Sequence, residues 1–119
     1  MAKTFKELIV WQRAMELAQA VYALVKILPK EETYALSDQM RRSAVSIPSN
    51  IAEGHARQTS KEFTQFLCIA RGSLAELETQ LLLAKELGYF NAVSPQQLEN
   101  AFQLSDEVSR MLYSLTANC

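Results

Sequence analysis

The feature that most constrains the fold is the recurrence of apolar side chains every three or four residues along almost the whole 119-residue chain. That spacing places the side chains on one side of an α-helix. Only three glycines and three prolines occur, too few for the many turns of an all-β protein. The pattern therefore predicts an all-α protein with a single domain.

Four segments carry the helical pattern, and most of them have a recognisable end. Thr59 with Glu62 three residues later is a capping box, and Ser94 is a typical N-cap residue. Gly54 and Gly88 are candidate C-caps. Short links between the segments favour an antiparallel up-down-up-down four-helix bundle. The predicted helices cover about residues 5–28, 33–54, 60–87 and 95–116.

The first and third predicted helices are more apolar than a lone bundle requires. In the first, the seam predicted to face the core is Leu8, Trp11, Met15, Ala18, Tyr22 and Val25. A second stripe widens it and consists of Ala14, Leu17, Val21, Leu24 and Leu28. A lone bundle needs about three apolar positions in seven, and apolar surface beyond that usually marks an interface. We therefore expect a homo-oligomer.

The residues needed for common bundle chemistry are missing from the sequence. His55 is the sole histidine, and Ala52 stands where a Glu-x-x-His di-iron motif needs its glutamate. Cys68 and Cys119 form no Cys-x-x-Cys pair, so we expect neither a disulfide nor a zinc site, and a reducing, cytoplasmic location. No apolar run is long enough to span a membrane. We predict no enzymatic activity, no cofactor and no metal.

A polar string within the second predicted helix is the first candidate site. Arg42, Ser46, Asn50 and Glu53 lie among small residues, and Ser46 is four residues from both Arg42 and Asn50, so these pairs can meet on one side. One interpretation is a polar network that sets the register between helices. Arg71, with Ser73 and Glu76, could complete that network from the third helix. The other interpretation is a surface that contacts a partner.

A basic group is the second candidate site, and we place it near the link between the second and third helices. It consists of Arg41, Arg42, His55, Arg57 and Lys61. Repeated by the symmetry of an oligomer, these charges could bind a phosphate backbone. The alternative is a solvated helix end, where cations are favoured. No aromatic residue interleaves with the group, which argues against stacking on single-stranded nucleic acid.

Three stretches carry a resemblance to a known family: Glu7–Leu17, Arg41–Gly54 and Phe63–Leu81. They resemble the four-helix-bundle proteins encoded within intervening sequences of bacterial large-subunit ribosomal RNA genes. The resemblance covers nearly the whole chain and implies a four-helix bundle assembled as a homopentamer. Some similar proteins are accessory variability determinants of diversity-generating retroelements, which bind reverse transcriptase and nucleic acid.

The resemblance and the missing chemistry together predict a non-enzymatic, oligomeric binding or scaffold protein. Its expected partner is RNA or an RNA-handling protein such as a reverse transcriptase. The retroelement relatives are typically basic, whereas this chain has a net charge of −1 and a sequence pI near 5.8. The alternative is therefore a purely protein-binding oligomeric adaptor with no nucleic-acid contact.

Overall fold

The computed structural model describes residues 2–119, and within that range it contains four α-helices and no β-strand. Short 3-10 turns precede the first two helices, at Phe5–Glu7 and Lys30–Glu32. The prediction of an all-α protein with four helices is confirmed. The helices are α1 (Ile9–Val25), α2 (Leu36–His55), α3 (Ser60–Glu86) and α4 (Pro95–Leu115).

The four helices form a closed ring around one core. Each helix packs against the next along the chain, and α1 also packs against α4. Short links reverse the chain direction between neighbours, so consecutive helices run antiparallel. The resulting bundle measures 44 by 26 by 23 Å. Because the helices alternate in direction, the α1–α2 and α3–α4 links lie at one end of the bundle and the α2–α3 link lies at the other.

The first helix is shorter than the predicted range of residues 5–28. Leu8 has an extended backbone, with φ −74° and ψ 124°, and it separates the Phe5–Glu7 turn from α1. At the other end, the amide of Leu28 donates to the carbonyl of Val25, three residues back, at 3.1 Å. The residue before a proline disfavours helical geometry, so the chain leaves the helix ahead of Pro29.

The third helix begins and ends at the predicted signals. The hydroxyl of Thr59 accepts from the amide of Glu62 at 3.1 Å and donates to its carboxylate at 3.0 Å. At the other end Gly88 has a φ of +81°, and the amide of Tyr89 donates to the carbonyl of Ala84 at 3.0 Å. This bond around a left-handed glycine is a Schellman motif, which satisfies a carbonyl that the helix leaves free.

Gly54 lies inside α2, so the prediction of a C-cap there is wrong. Within residues 2–119, Gly88 alone has a positive φ. Gly54 instead allows α3 to approach closely. A Cβ atom built on Gly54 would lie 2.6 Å from the Cβ of Phe66 and 3.2 Å from the carbonyl oxygen of Phe63.

The second apolar stripe is the part of α1 that fills the core. The predicted seam is wrong for Trp11, Met15 and Tyr22, which are not fully buried. Leu17, Val21 and Leu24 are fully buried, whereas the Tyr22 side chain is 43% exposed. Spacing alone cannot decide which of two adjacent stripes faces inward, because both have the helical period. The buried partners from the other helices are Met40, Ala44, Ile47, Ile51, Leu74, Leu77, Leu81, Val108 and Leu112.

A disulfide joins Cys68 of α3 to Cys119, contrary to the prediction that the cysteines are unpaired. The two residues are 51 apart in sequence, and the segment after α4 turns back over α3 to bring their Cα atoms within 5.3 Å. Sequence spacing could not indicate this pairing, because the contact depends on how α4 packs beside α3. We inferred a reducing compartment from the assumption of unpaired thiols, and the disulfide removes the support for that inference.

Candidate functional site

The polar residues of α2 that face α3 form a hydrogen-bonded row inside the subunit. The hydroxyls of Ser46 and Ser73 lie 2.8 Å apart. The amide of Asn50 donates to the hydroxyl of Ser46 at 3.0 Å and to its carbonyl at 2.8 Å. Ser43 donates to the carboxylate of Glu76 at 2.8 Å. These bonds join the two helices at matched positions and so determine their relative register.

Arg42 and Glu53 lie outside this row. Arg42 donates to Asp38 at 3.0 Å, and its side chain is 80% exposed. Glu53 accepts from Arg57 at 3.0 Å, one helical turn further on. Both are ion pairs between residues four apart on a helix surface, which contribute little to stability. The possible pairing of Arg42 with Ser46 does not occur.

Arg71 faces α4 and takes no part in the row of serines. Its guanidinium carbon lies 3.6 Å from the centroid of the Tyr113 ring. It also donates to the hydroxyl of Thr116 at 3.2 Å. Together with the Cys68–Cys119 disulfide, these contacts hold the end of the chain against α3.

The predicted basic group does not form one cluster, because its members lie at opposite ends of α2. His55 is at the C-terminal end of the helix, whereas Arg41 lies near its start, where it donates to the carbonyl of Thr33 at 3.2 Å. The separation is about 20 Å along the axis at roughly 1.5 Å per residue. The prediction that all five cations lie near the α2–α3 link is therefore wrong.

The cations that do lie at the α2–α3 link pack against aromatic rings. His55 and Arg57 line a pocket of about 360 Å³, which we call the turn pocket. The His55 ring meets the Phe63 ring edge to face, with centroids 6.0 Å apart, and the Arg57 guanidinium carbon lies 4.8 Å from the Phe66 ring centroid. Lys61 is exposed nearby. No aromatic residue interleaves with these cations in the sequence, and both phenylalanines are supplied by α3.

An open groove between α1 and α2 is a further candidate, and sequence analysis did not identify it as a site. Its volume is about 660 Å³, and we call it the apolar groove. Its apolar lining is Trp11, Met15, Ala18, Tyr22, Ala23, Val45 and Pro48. Three residues that we assigned to the core-facing seam of α1, namely Trp11, Met15 and Tyr22, thus line an outer surface. The second apolar stripe of α1 is enough to fill the core by itself. Its presence in the sequence could have indicated that the first stripe lines a surface groove.

Two groups have displaced pKa values, and both serve contacts between elements. The hydrogen bond to Glu16, at 2.8 Å, raises the pKa of Arg13, which also binds Glu107 of α4 at 2.9 Å. The hydrogen bond to Glu32, at 2.7 Å, raises the pKa of Tyr89. The first contact ties α1 to α4, and the second ties the α1–α2 link to the α3–α4 link.

Two absences concern the part of the chain that the structure describes. Residues 2–119 contain no group of three or more histidine, cysteine, aspartate or glutamate side chains arranged to hold a metal ion. Over the same residues, no helix has both the length and the hydropathy required to cross a membrane.

Comparison with known proteins identifies relatives over most of the chain. The family model described as "23S rRNA-intervening sequence protein" matches residues 6–114. A crystal structure of a protein of unknown function, from the S23 ribosomal protein family of Bacteroides thetaiotaomicron, matches with a TM-score of 0.79 and 29% sequence identity. The match covers 92% of this chain and 100% of that chain. Neither description names an enzymatic activity, and no curated protein matches.

Proposed function

The chain belongs to the 23S rRNA-intervening sequence protein family, and from that premise we propose that it is a non-enzymatic binding protein that works as a homo-oligomer. The apolar groove is the observation that carries this proposal. Trp11, Met15 and Tyr22 line the groove, and none of the three is fully buried. A contiguous apolar surface of this kind is typical of a protein interface.

Covering the groove supplies a driving force for self-association. Tyr22 and Val45 are 43% and 44% exposed, so each can bury substantial apolar surface against a partner. Full burial of a large apolar side chain contributes about 1.5–3 kcal/mol. Pro48 adds an apolar ring that has no backbone N–H to satisfy. The polar side chains of the lining, Gln19, Lys26 and Ser49, are few beside the seven apolar ones, so the groove can accept a mainly apolar surface with polar groups at its margin.

A head-to-tail contact would place the groove of one subunit against a different face of the next, and such contacts close into rings. Ile69 and Leu83 of α3, together with Leu87 just after the helix, are exposed and offer one such face. The two parts of the chain also carry opposite net charge, since residues 1–71 hold ten basic against seven acidic residues and residues 72–119 hold two against six. The resemblance to homopentameric relatives leads us to propose five subunits.

For the partner, we propose RNA or an RNA-handling protein such as a reverse transcriptase. The turn pocket supports this part, because it brings the guanidinium of Arg57 and the imidazole of His55 against the rings of Phe66 and Phe63. Cations beside aromatic rings suit a phosphate backbone with unstacked bases. Lys61 extends the cationic surface, and the ring symmetry would repeat it once per subunit. Because the net charge is −1, the alternative is a protein-binding adaptor, and the RNA titration below distinguishes the two.

The oligomer is tested by light scattering on the wild type and on Val45→Glu. We expect the wild type to have about five times the mass of one chain, and Val45→Glu to dissociate, because a carboxylate cannot be buried in the groove without a partner. Ile9→Glu is the control, since Ile9 of α1 is 55% exposed, somewhat more than Val45, but does not line the groove. A monomeric wild type, or a Val45→Glu variant with unchanged mass, would refute the proposal.

Binding to RNA is tested by titrating a labelled structured RNA at two salt concentrations. We expect affinity to fall as salt rises, because cations bound to phosphate release counterions. Arg57→Gln should weaken binding, whereas Arg110→Gln should not, although both arginines pair with a carboxylate four residues earlier. An oligomer that binds no RNA at either salt concentration would favour the protein-binding adaptor.

A further inference from the structure

A second cavity lies where the end of α1 faces the start of α2, at the opposite end of α2 from the turn pocket. Its volume is about 340 Å³, and Tyr22 and Lys26 line both this cavity and the apolar groove. Three cations contribute to its wall, and we call it the cationic cup. The cations are Lys26, Lys30 and Arg41.

The positive charge of the cup is only partly balanced by the protein. Within residues 2–119, neither Lys26 nor Lys30 forms an ion pair. The carboxylate of Asp38 lies 4.0 Å from the guanidinium of Arg41, at the limit of an ion pair. Asp38 also accepts from Arg42 at 3.0 Å, so its charge is shared between two arginines.

The other carboxylates near the cup are those of Glu31 and Glu32 in the α1–α2 link. Glu32 accepts from the hydroxyl of Tyr89 at 2.7 Å and from the amide of Leu36 at 3.3 Å, so it keeps its negative charge, but it is held outside the lining of the cup. Glu31 is exposed and, within residues 2–119, does not line the cup. The balance inside the cup therefore remains positive.

A hydroxyl that lines the cup has no hydrogen-bond partner within residues 2–119. Ser37 as a residue is only 3% exposed, and it lines the cavity. Its hydroxyl oxygen opens into the cavity, where it is free to bind a ligand atom. A serine hydroxyl can donate to an oxygen of an anion.

The start of α2 adds backbone donors at the same place. Its N-cap position is Ala35, which has no side-chain group to accept the amides of the first turn, although the Leu36 amide already donates to Glu32. Ser37 and Asp38 belong to that turn. The N-terminus of a helix carries a partial positive charge and favours anions.

We propose that the cationic cup binds a phosphate group. The hydroxyl of Ser37 and the first-turn amides of α2 donate to the phosphate oxygens. Lys26, Lys30 and Arg41 balance the charge, and three cations suit the double charge of a phosphate monoester. This site goes beyond the proposed RNA surface, because it is separated from the turn pocket by the length of α2.

The proposal is tested by isothermal titration with inorganic phosphate, together with amide NMR spectra. We expect saturable binding in which the amide signals of Ser37 and Asp38 shift more than those at the turn pocket. Lys30→Gln should weaken phosphate binding about fivefold or more, and Ser37→Ala about tenfold. Lys85→Gln is the control, because it removes an exposed lysine of α3 that lines neither the cup nor the turn pocket. Equal affinity in Lys30→Gln and Lys85→Gln, or no binding by the wild type, would overturn the proposal.

The same variants distinguish the cup from the proposed RNA surface when a nucleoside monophosphate and a short single-stranded RNA are titrated in parallel. Phosphate and monophosphate binding that depends on Lys30 but not on Arg57 supports the cup, whether or not RNA binds. RNA binding that depends on Arg57 without any phosphate binding overturns the cup and leaves the RNA proposal standing. Ser37→Ala fills almost the same space as serine, and Lys30 is exposed, so Lys30→Gln retains the test if Ser37→Ala fails to fold.

Discussion

The close approach of α2 and α3 at Gly54 makes a prediction about stability that can be worked out from the structure. A Cβ added at Gly54 would lie 2.6 Å from the Cβ of Phe66, whereas ordinary contacts between such atoms are 3.4–4 Å. The Cβ of Phe66 is fixed to its backbone, so the helices must separate by several tenths of an ångström. Such overpacking costs about 1–3 kcal/mol, and the rigid neighbour places Gly54→Ala at the upper end.

A gain in helix propensity opposes this cost. Replacing glycine by alanine inside a helix contributes about 1 kcal/mol, which leaves a net loss of about 2 kcal/mol for Gly54→Ala. The unfolding entropy of a chain of this length, at about 2.1 cal/mol/K per residue, converts that loss to a fall in Tm of roughly 8 °C. We expect this shift at a fixed protein concentration, because the self-association that we propose would make the Tm depend on concentration.

Gly72→Ala provides a matched control in the same fold. Gly72 lies within α3, and a Cβ there would meet nothing within 4 Å. The propensity gain should therefore remain unopposed and stabilise the protein by about 1 kcal/mol. Urea unfolding followed by circular dichroism at 222 nm measures both variants. The reasoning would be refuted if Gly54→Ala were as stabilising as Gly72→Ala, because the contact with Phe66 would then cost nothing.

Three further predictions concern the disulfide, the serine row and a tyrosine. Cys119→Ser should lower the free energy of unfolding by about 4 kcal/mol, which is the chain-entropy contribution of a disulfide that closes a loop of this length. Adding a reductant to this variant should cause no further loss, and urea unfolding with and without reductant measures both effects. Ser46→Ala should cost about 1 kcal/mol, because it leaves Ser73 without its partner across the helix pair; an unchanged urea midpoint would contradict the role of the row. The bond to Glu32 raises the pKa of Tyr89, so its contribution to stability should be present below pH 10 and lost as the pH rises through the higher folded pKa. Tyr89→Phe should flatten the stability profile above pH 10, and an equally steep decline in this variant would contradict the assignment.

The locations of the helix ends show how far local signals extend. The capping box at Thr59, the left-handed turn at Gly88 and the N-cap at Ser94 were predicted from sequence, and each occurs with the expected hydrogen bonds. These motifs involve atoms within about four residues of one another, so neighbouring residues contain all the information needed. Gly54 was misinterpreted because its function depends on Phe66, which belongs to another helix.

The candidate sites were less predictable, because each depends on distances between helices. The five cations looked close in sequence, yet α2 carries Arg41 and His55 to its two ends. The residues that join Arg41 in the cationic cup, Lys26 and Lys30, come from the end of α1 and the following link. Tyr22 looked like a core residue, and only the packing of α1 on α2 placed it in a groove.

The sequence by itself determined the all-α class, the number of helices, most of their ends and the excess of apolar surface. Those properties follow from the helical period and from capping groups, which act over a few residues. Tertiary structure alone decided which stripe of α1 became the core, that Cys68 and Cys119 pair, and where the groove and the cationic cup lie. The physical reason is that burial and charge balance are sums over neighbours from several helices, and those neighbours exist only after the bundle has closed.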